Sequence, residues 1–131
     1  MRFLLDTHTV LWYFDEIGNL SERTHEIIAK NEDECFVSII SLYEMAIKVN
    51  IKKLHLQKSI DEYKNGLIEN GFTIIPIEIH HLEYYTNLPQ NPTHKDPFDR
   101  LIISTAAVEN LKIISKDEKF NLYQDIVETV W

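Results

Sequence analysis

Glycine is scarce in this chain. Only Gly18, Gly66 and Gly71 occur among 131 residues, and no two are adjacent. Glycine-rich phosphate loops and dinucleotide fingerprints need clustered glycines for close backbone approach, so both are excluded. Cysteine is scarcer still. Cys35 stands alone, which excludes an internal disulfide and a cysteine-rich zinc site and suits a reducing compartment. No run of 18 apolar residues exists, so no membrane-spanning helix is expected. The opening Met1-Arg2-Phe3-Leu4-Leu5 starts like a signal peptide, but Asp6 and His8 interrupt it and no small-residue cleavage site follows. A cytoplasmic protein with no membrane partner is therefore expected. Positive charge is also in deficit: 13 Lys and Arg face 21 Asp and Glu, for a net charge of −8. That balance argues against a protein that holds nucleic acid through a broad basic face.

What is present is ordinary for a folded domain. The chain is 44% hydrophobic and 26% charged, and its length suits one domain over residues 1–131. Repeats, low-complexity tracts and linker-like stretches are absent. The loosest segment, Leu88 to His94, reads as a loop inside that domain.

Short apolar runs alternate with helical patterns. Arg2–Leu5, Cys35–Ser38, Phe72–Ile75 and Lys112–Ser115 read as strands, with Ile126–Val130 as a fifth. Helices are expected over Thr9–Phe14, Ser21–Lys30, Ile40–Ile51, Ser59–Asn70, Ile79–Asn87 and Pro97–Asn110. Ser21 is a plausible N-cap. Ser59-Ile60-Asp61-Glu62 is a capping box, and Gly71 is a C-terminal stop. In the third of these helices Leu42, Met45, Ala46 and Val49 are expected to face inward. Pro97–Asn110 is nearly all apolar, which implies burial on most sides. The fold class is α/β, with a parallel sheet of four to five strands flanked by helices. In such sheets the working residues gather beyond the carboxyl ends of the strands.

Acids stand at those ends. Asp6 follows the first strand and Asp117 the fourth, each with an N-cap or turn role available. Glu44 interrupts the apolar stretch Phe36–Ile47 about one turn into its helix, although pairing with Lys48 at i+4 is an alternative. Asp96 precedes Pro97 as a good N-cap, and Asp99 falls in the first turn, where the helix dipole favours a carboxylate. If Asp6, Glu44, Asp99 and Asp117 converge at about 6 Å, each pair repels by roughly 3 kcal/mol at an effective dielectric near 20, or on the order of 15 kcal/mol in all. Such a cluster must take up protons or bind a hard cation. An oxygen-only donor set favours Mg²⁺ or Mn²⁺, the ions of phosphodiester hydrolysis.

These segments together resemble the PIN-domain proteins, in particular the VapC-type toxins of toxin–antitoxin pairs. The resemblance rests on Leu4-Leu5-Asp6-Thr7-His8, Ser41-Leu42-Tyr43-Glu44-Met45-Ala46-Ile47-Lys48, Asp96-Pro97-Phe98-Asp99-Arg100-Leu101-Ile102 and Ser115-Lys116-Asp117-Glu118-Lys119-Phe120, in that order. It implies a single PIN-like domain and a metal-dependent ribonuclease using Mg²⁺ or Mn²⁺. Asp6, Glu44, Asp99 and Asp117 match the family's acidic positions. Asp6 and Asp99 would be direct metal ligands, with Glu44 and Asp117 completing the site directly or through water. Asp96 is an extra acid that supports the site or only caps its helix. Thr7 and Ser41 lie where the family places hydroxyls bonded to metal-site groups, and Arg100 is expected to pair with Asp96 or Glu44. The resemblance also implies an RNA substrate, a homodimer and a cognate antitoxin that covers the acidic site.

Other candidates are weaker. The six histidines show no metal-ligand spacing. His80 and His81 are expected to face apart as surface or edge residues, and His8 and His94 to be solvated or backbone-bonded. Cys35 reads as core. Lys52, Lys53 and His55 form a small basic patch, usually a solvated face, with RNA phosphate as the alternative. Three other functions compete. A haloacid-dehalogenase-like phosphatase would want an acid where His8 stands, and a receiver domain a phosphoacceptor where Pro76 follows the third strand. A non-catalytic binding module is disfavoured by the intact acids.

Overall fold

A computed structural model describes residues Met1–Trp131. Five strands form one sheet: β1 (Phe3–Leu5), β2 (Cys35–Ser38), β3 (Thr73–Ile75), β4 (Lys112–Ile114) and β5 (Thr129–Val130). Their order is β3-β2-β1-β4-β5, and every pairing is parallel. Leu4 aligns with Phe36 on one side and Ile113 on the other. The strands are short because each need only cross the core once before a helix takes over.

Six α-helices cover the sheet: α1 (Thr7–Asp15), α2 (Glu22–Lys30), α3 (Ile39–Asn50), α4 (Ile60–Glu69), α5 (Ile79–Thr86) and α6 (Pro97–Glu109). The alternation of side chains along the strands divides the core in two. Phe3, Leu5, Val37 and Ile114 join Val10, Ile28, Tyr63 and Leu67 on one face. Leu4 and Ile113 join Ile102, Ile103, Ala106 and Phe120 on the other. Cys35 is buried in the first cluster, as expected of a core thiol. No helix is long and apolar enough to cross a membrane.

The local signals behave as physical chemistry requires. Ser21 caps α2, and Ser59 with Glu62 closes a reciprocal capping box on α4. Gly71 ends α4 with φ +86°, a conformation other residues resist. Gly66 lies against a ring: a Cβ there would stand 2.9 Å from Phe14 Cε1, so the phenyl would have to shift. Val49 departs from expectation. It is exposed, because α3 has run past the sheet by that point and meets solvent in its last turn.

The strand order matters for function. The chain leaves β1 toward β2 in its first crossover and reaches β4, on β1's other side, only later. The carboxyl ends of β1 and β4 therefore border the crevice where the winding reverses, the place where open α/β sheets bind ligands.

Candidate active site

Asp6 sits at that crevice. It is the first residue after β1, its N–H donates to the Ile114 carbonyl at 3.2 Å, and it is the N-cap of α1. One carboxyl oxygen, Oδ1, accepts the Thr9 N–H at 2.8 Å. The other, Oδ2, accepts a short hydrogen bond from the Ser115 hydroxyl at the end of β4. Ser115 Oγ in turn accepts the Asp117 N–H at 3.0 Å, so one serine ties Asp6 to the backbone that carries Asp117. Asp117 is exposed and caps the 3₁₀ segment Glu118–Tyr123 through the Lys119 N–H at 2.9 Å.

Glu44 arrives from α3. It is buried, and its two oxygens have different partners: Thr7 Oγ1 donates to Oε1 at 2.6 Å, and Lys48 Nζ lies 3.3 Å from Oε2. The i+4 lysine pair and the inward placement thus coexist. Asp99 comes from the first turn of α6. Its Oδ2 faces His94 Nε2 at 3.1 Å, while Asp96 caps the helix by accepting the Phe98 and Asp99 N–H groups.

All four predicted acids, together with Asp96 and Thr7, line one pocket of about 200 Å³ without a single hydrophobic residue. Its electrostatics are uneven. Burial pushes the Asp99 carboxyl up to about 6, opposed by the hydrogen bond from His94 and reinforced by the charges of Asp96 and Glu44. Burial also raises Asp6, against the hydrogen bonds from Ser115 and Thr9. The cluster is not left to repel itself unopposed, however. Lys48, Lys95 and Lys119 stand on the same walls, which reduces the penalty estimated from the acids alone.

The PIN domain family model matches residues 3–125. The chain belongs to the PIN domain family. No curated protein matches it, but several solved structures do. VapBC2 from Rickettsia felis, bound to a promoter DNA fragment, is similar with a TM-score of 0.72 at 18% identity, covering 98% of each chain. DNA-bound VapBC from Salmonella typhimurium has a TM-score of 0.69 at 17% identity, covering 99% of this chain and 97% of the other. FitAcB from Neisseria gonorrhoeae has a TM-score of 0.67 at 18% identity, covering 98% and 96%. Nuclease activity is typical of PIN domains, as is the use of divalent metals.

As a PIN domain, the chain differs from its sequence-based reading at several residues. Arg100 pairs with neither Asp96 nor Glu44. It is buried behind the pocket, where Nη1 donates to the Pro89 carbonyl at 3.0 Å and the Tyr123 hydroxyl at 2.9 Å, and Nη2 reaches the Leu88 carbonyl at 3.4 Å. It follows Asp99 by one position, and a helix turns adjacent side chains about 100° apart, so Asp99 takes the pocket side and Arg100 the core side. Ser41 Oγ is buried without a hydrogen-bond partner and bonds to no site group. His94 is neither solvated nor backbone-bonded. It is buried, with Asp99 on Nε2 and the Tyr123 hydroxyl at 2.8 Å on Nδ1. His8 is exposed at the rim. Ser115 and His94 are the residues sequence reasoning missed. The only available signal was proximity: each lies within five positions of a predicted acid.

His80 and His81 also behave unexpectedly. His81 is buried, and both imidazoles meet Glu109 Oε1, at 3.1 and 2.8 Å. These three residues place their ligand atoms within 4.8 Å of one another, and no three of the pocket acids do so. Yet His81 Nδ1 accepts the Glu78 N–H at 3.0 Å, so Nε2 carries the proton given to Glu109. A nitrogen committed in this way has no lone pair for a metal. The triad is a clamp between α5 and α6. The pocket acids stand farther apart, with spare carboxylate lone pairs around an all-polar space, which fits a hydrated hard cation.

Proposed function

We propose that this PIN domain is a metal-dependent endoribonuclease and the toxin of a toxin–antitoxin pair. The supporting observation is the all-polar pocket at the β1–β4 crevice, where acids from four separate segments meet and two of them resist ionisation through burial. Carboxyls held up in this way gain from a nearby divalent charge. Mg²⁺ or Mn²⁺ fits the oxygen donor set. Asp6 and Asp99 would hold it directly, with Glu44 and Asp117 joining directly or through water. Such an ion supplies Lewis acidity for attack of water on a phosphodiester.

The chain's own residues do the rest. Ser115 and the Thr9 N–H aim Asp6, Thr7 aims Glu44, and His94 aims Asp99. Lys48, Lys95 and Lys119 on the pocket walls attract a phosphate toward the acids. One similar solved structure, from Klebsiella pneumoniae, is a toxin–antitoxin complex, which supports an antitoxin as partner. A homodimer and a cytoplasmic setting complete the reading.

Purified protein incubated with single-stranded RNA tests it. Cleavage should require Mg²⁺ or Mn²⁺, stop with EDTA and spare single-stranded DNA of the same sequence. Undiminished cleavage in EDTA would sink the metal mechanism, and no cleavage of any RNA with metal would sink the nuclease reading.

A further inference from the structure

A second, less polar cleft opens off the acidic pocket. It encloses about 540 Å³, and Asp6, Asp117, His8 and Lys119 border both spaces. Trp12, Lys116 and Glu118 complete its walls, and more of its surface is apolar than polar. His8 and Trp12 are one helical turn apart on α1, which starts directly after Asp6, so their rings project from the same face. The ring centroids are 5.8 Å apart. Trp12 is half-buried. Its indole is braced edge-on by Trp131 at 5.8 Å, and Lys116 Nζ lies over the ring, 5.9 Å from its centroid, where an arriving base would displace it.

We infer that this cleft is a nucleobase subsite. The base of the nucleotide flanking the scissile phosphate stacks on Trp12, and Lys116 and Lys119 hold the adjoining phosphate. This rests on the nuclease reading. Three observations select a nucleotide. The cleft is continuous with the acids, so one bound strand occupies both. It offers a braced aromatic surface, which a base matches with its flat π-face. Two ammonium groups, those of Lys116 and Lys119, line the same cleft beside Glu118. The net charge of −8 prevents the protein from gripping RNA through bulk electrostatics, so stacking supplies affinity that charge does not. Because every base has a π-face, the subsite is tolerant of sequence.

The test uses a fluorescein-labelled single-stranded oligoadenylate octamer and an octamer of the same phosphate count without bases. Binding is followed by anisotropy on the full-length Asp99→Asn protein, with EDTA present so that no cleavage intervenes. The oligoadenylate should bind on the order of 10-fold more tightly than the abasic strand. Trp12→Leu should bring the two affinities together, and Trp12→Phe, which keeps a ring, should retain most of the preference. A general loss of fold would weaken both strands equally in Trp12→Leu and leave Trp12→Phe no better. Equal binding of the two strands by the Trp12-containing protein, no binding of either, or a base preference that survives Trp12→Leu would each overturn the subsite. Cleavage of RNA is scored separately, so an active nuclease without a Trp12-dependent base preference refutes only this inference.

Discussion

His94 bridges Asp99 to Tyr123: its Nε2 lies 3.1 Å from the Asp99 carboxyl and its Nδ1 2.8 Å from the phenol oxygen. Arg100 donates to that same phenol at 2.9 Å, so the donor directions run Arg100 to Tyr123 to His94 to Asp99. An acid facing Nε2 fixes the proton there and leaves Nδ1 to accept from the phenol. The chain holds Asp99 in place from behind the pocket.

Tyr123→Phe removes the middle of that chain. It leaves a buried guanidinium donor and a buried imidazole acceptor short of a partner, at a cost of about 1–3 kcal/mol. RNA cleavage should slow in kcat with KM little changed, because Asp99 loses its brace while the pocket walls stay intact. Arg100→Lys should cost a similar amount in urea denaturation, since an ammonium cannot serve two carbonyls and a phenol in a planar fork. An unchanged unfolding midpoint in both variants would refute the chain's role.

Asp99→Asn should stabilise the metal-free protein and abolish cleavage. The amide keeps an acceptor for His94 and removes a charge that burial opposes. With the carboxyl pushed up to about 6 from its ordinary 3.8, its ionisation at neutral pH costs on the order of 3 kcal/mol. A rise of several degrees in melting temperature without metal is expected, with activity down at least about 100-fold. Wild-type cleavage by this variant would remove Asp99 from the site.

Stability of the metal-free protein should depend on pH in a defined direction. Asp99 binds its proton more tightly folded than unfolded, as does Asp6. The Asp99 contribution is fully present below pH 3.8 and is lost as pH rises through about 6, and that of Asp6 is likewise lost as pH rises. Glu109 works oppositely, because hydrogen bonds from His81 and His80 lower it, and its contribution is lost only as pH falls below its ordinary 4.5. Urea titrations between pH 4.5 and 7.5 should therefore show stability falling with pH. Added Mg²⁺ should reverse the trend, since the cation needs ionised carboxylates. A metal-induced stabilisation equal at both ends of that range would contradict it.

Ser115→Ala should act on Asp6 through its lost hydrogen bond. The hydroxyl holds the Asp6 carboxyl down against burial, so its removal should raise that carboxyl further. The acid limb of the pH–rate profile should move to higher pH, and cleavage at pH 7 should fall about 10-fold. Ser115→Thr, which retains the hydroxyl, should restore the profile. A variant that is slower at every pH with an unmoved acid limb would indicate a structural role alone.

Much of this architecture was readable from residue order. The strands declared themselves as short apolar runs, and the acids by falling directly after them: Asp6 behind Leu5, and Asp117 near the end of the Lys112–Ile114 strand. Glu44 was legible because it interrupts an apolar helix. Residues whose roles depend on distant partners were not. Arg100 looks like an ion-pair partner because four acids lie nearby in function, yet its partners are carbonyls in the Leu88–Pro89 turn and a phenol 23 positions later. His81 looks exposed beside His80, but Glu109 lies on a neighbouring helix that local periodicity does not reveal. Ser115 hid in plain view, since a serine at a strand end has many ordinary uses.

The carboxylates that meet in the pocket come from both ends of the chain, and they meet only through parallel pairing of β1 with β2 and of β1 with β4. Asp6 leaves a ribosome 109 residues ahead of Ser115, the tether that links it to Asp117. A nascent or truncated chain ending before β4 carries Asp6 without the serine that aims it. Whatever chemistry the pocket performs is therefore withheld until β4, Ser115 and Asp117 have been made. A chain that stops short of Ser115 is inert by topology.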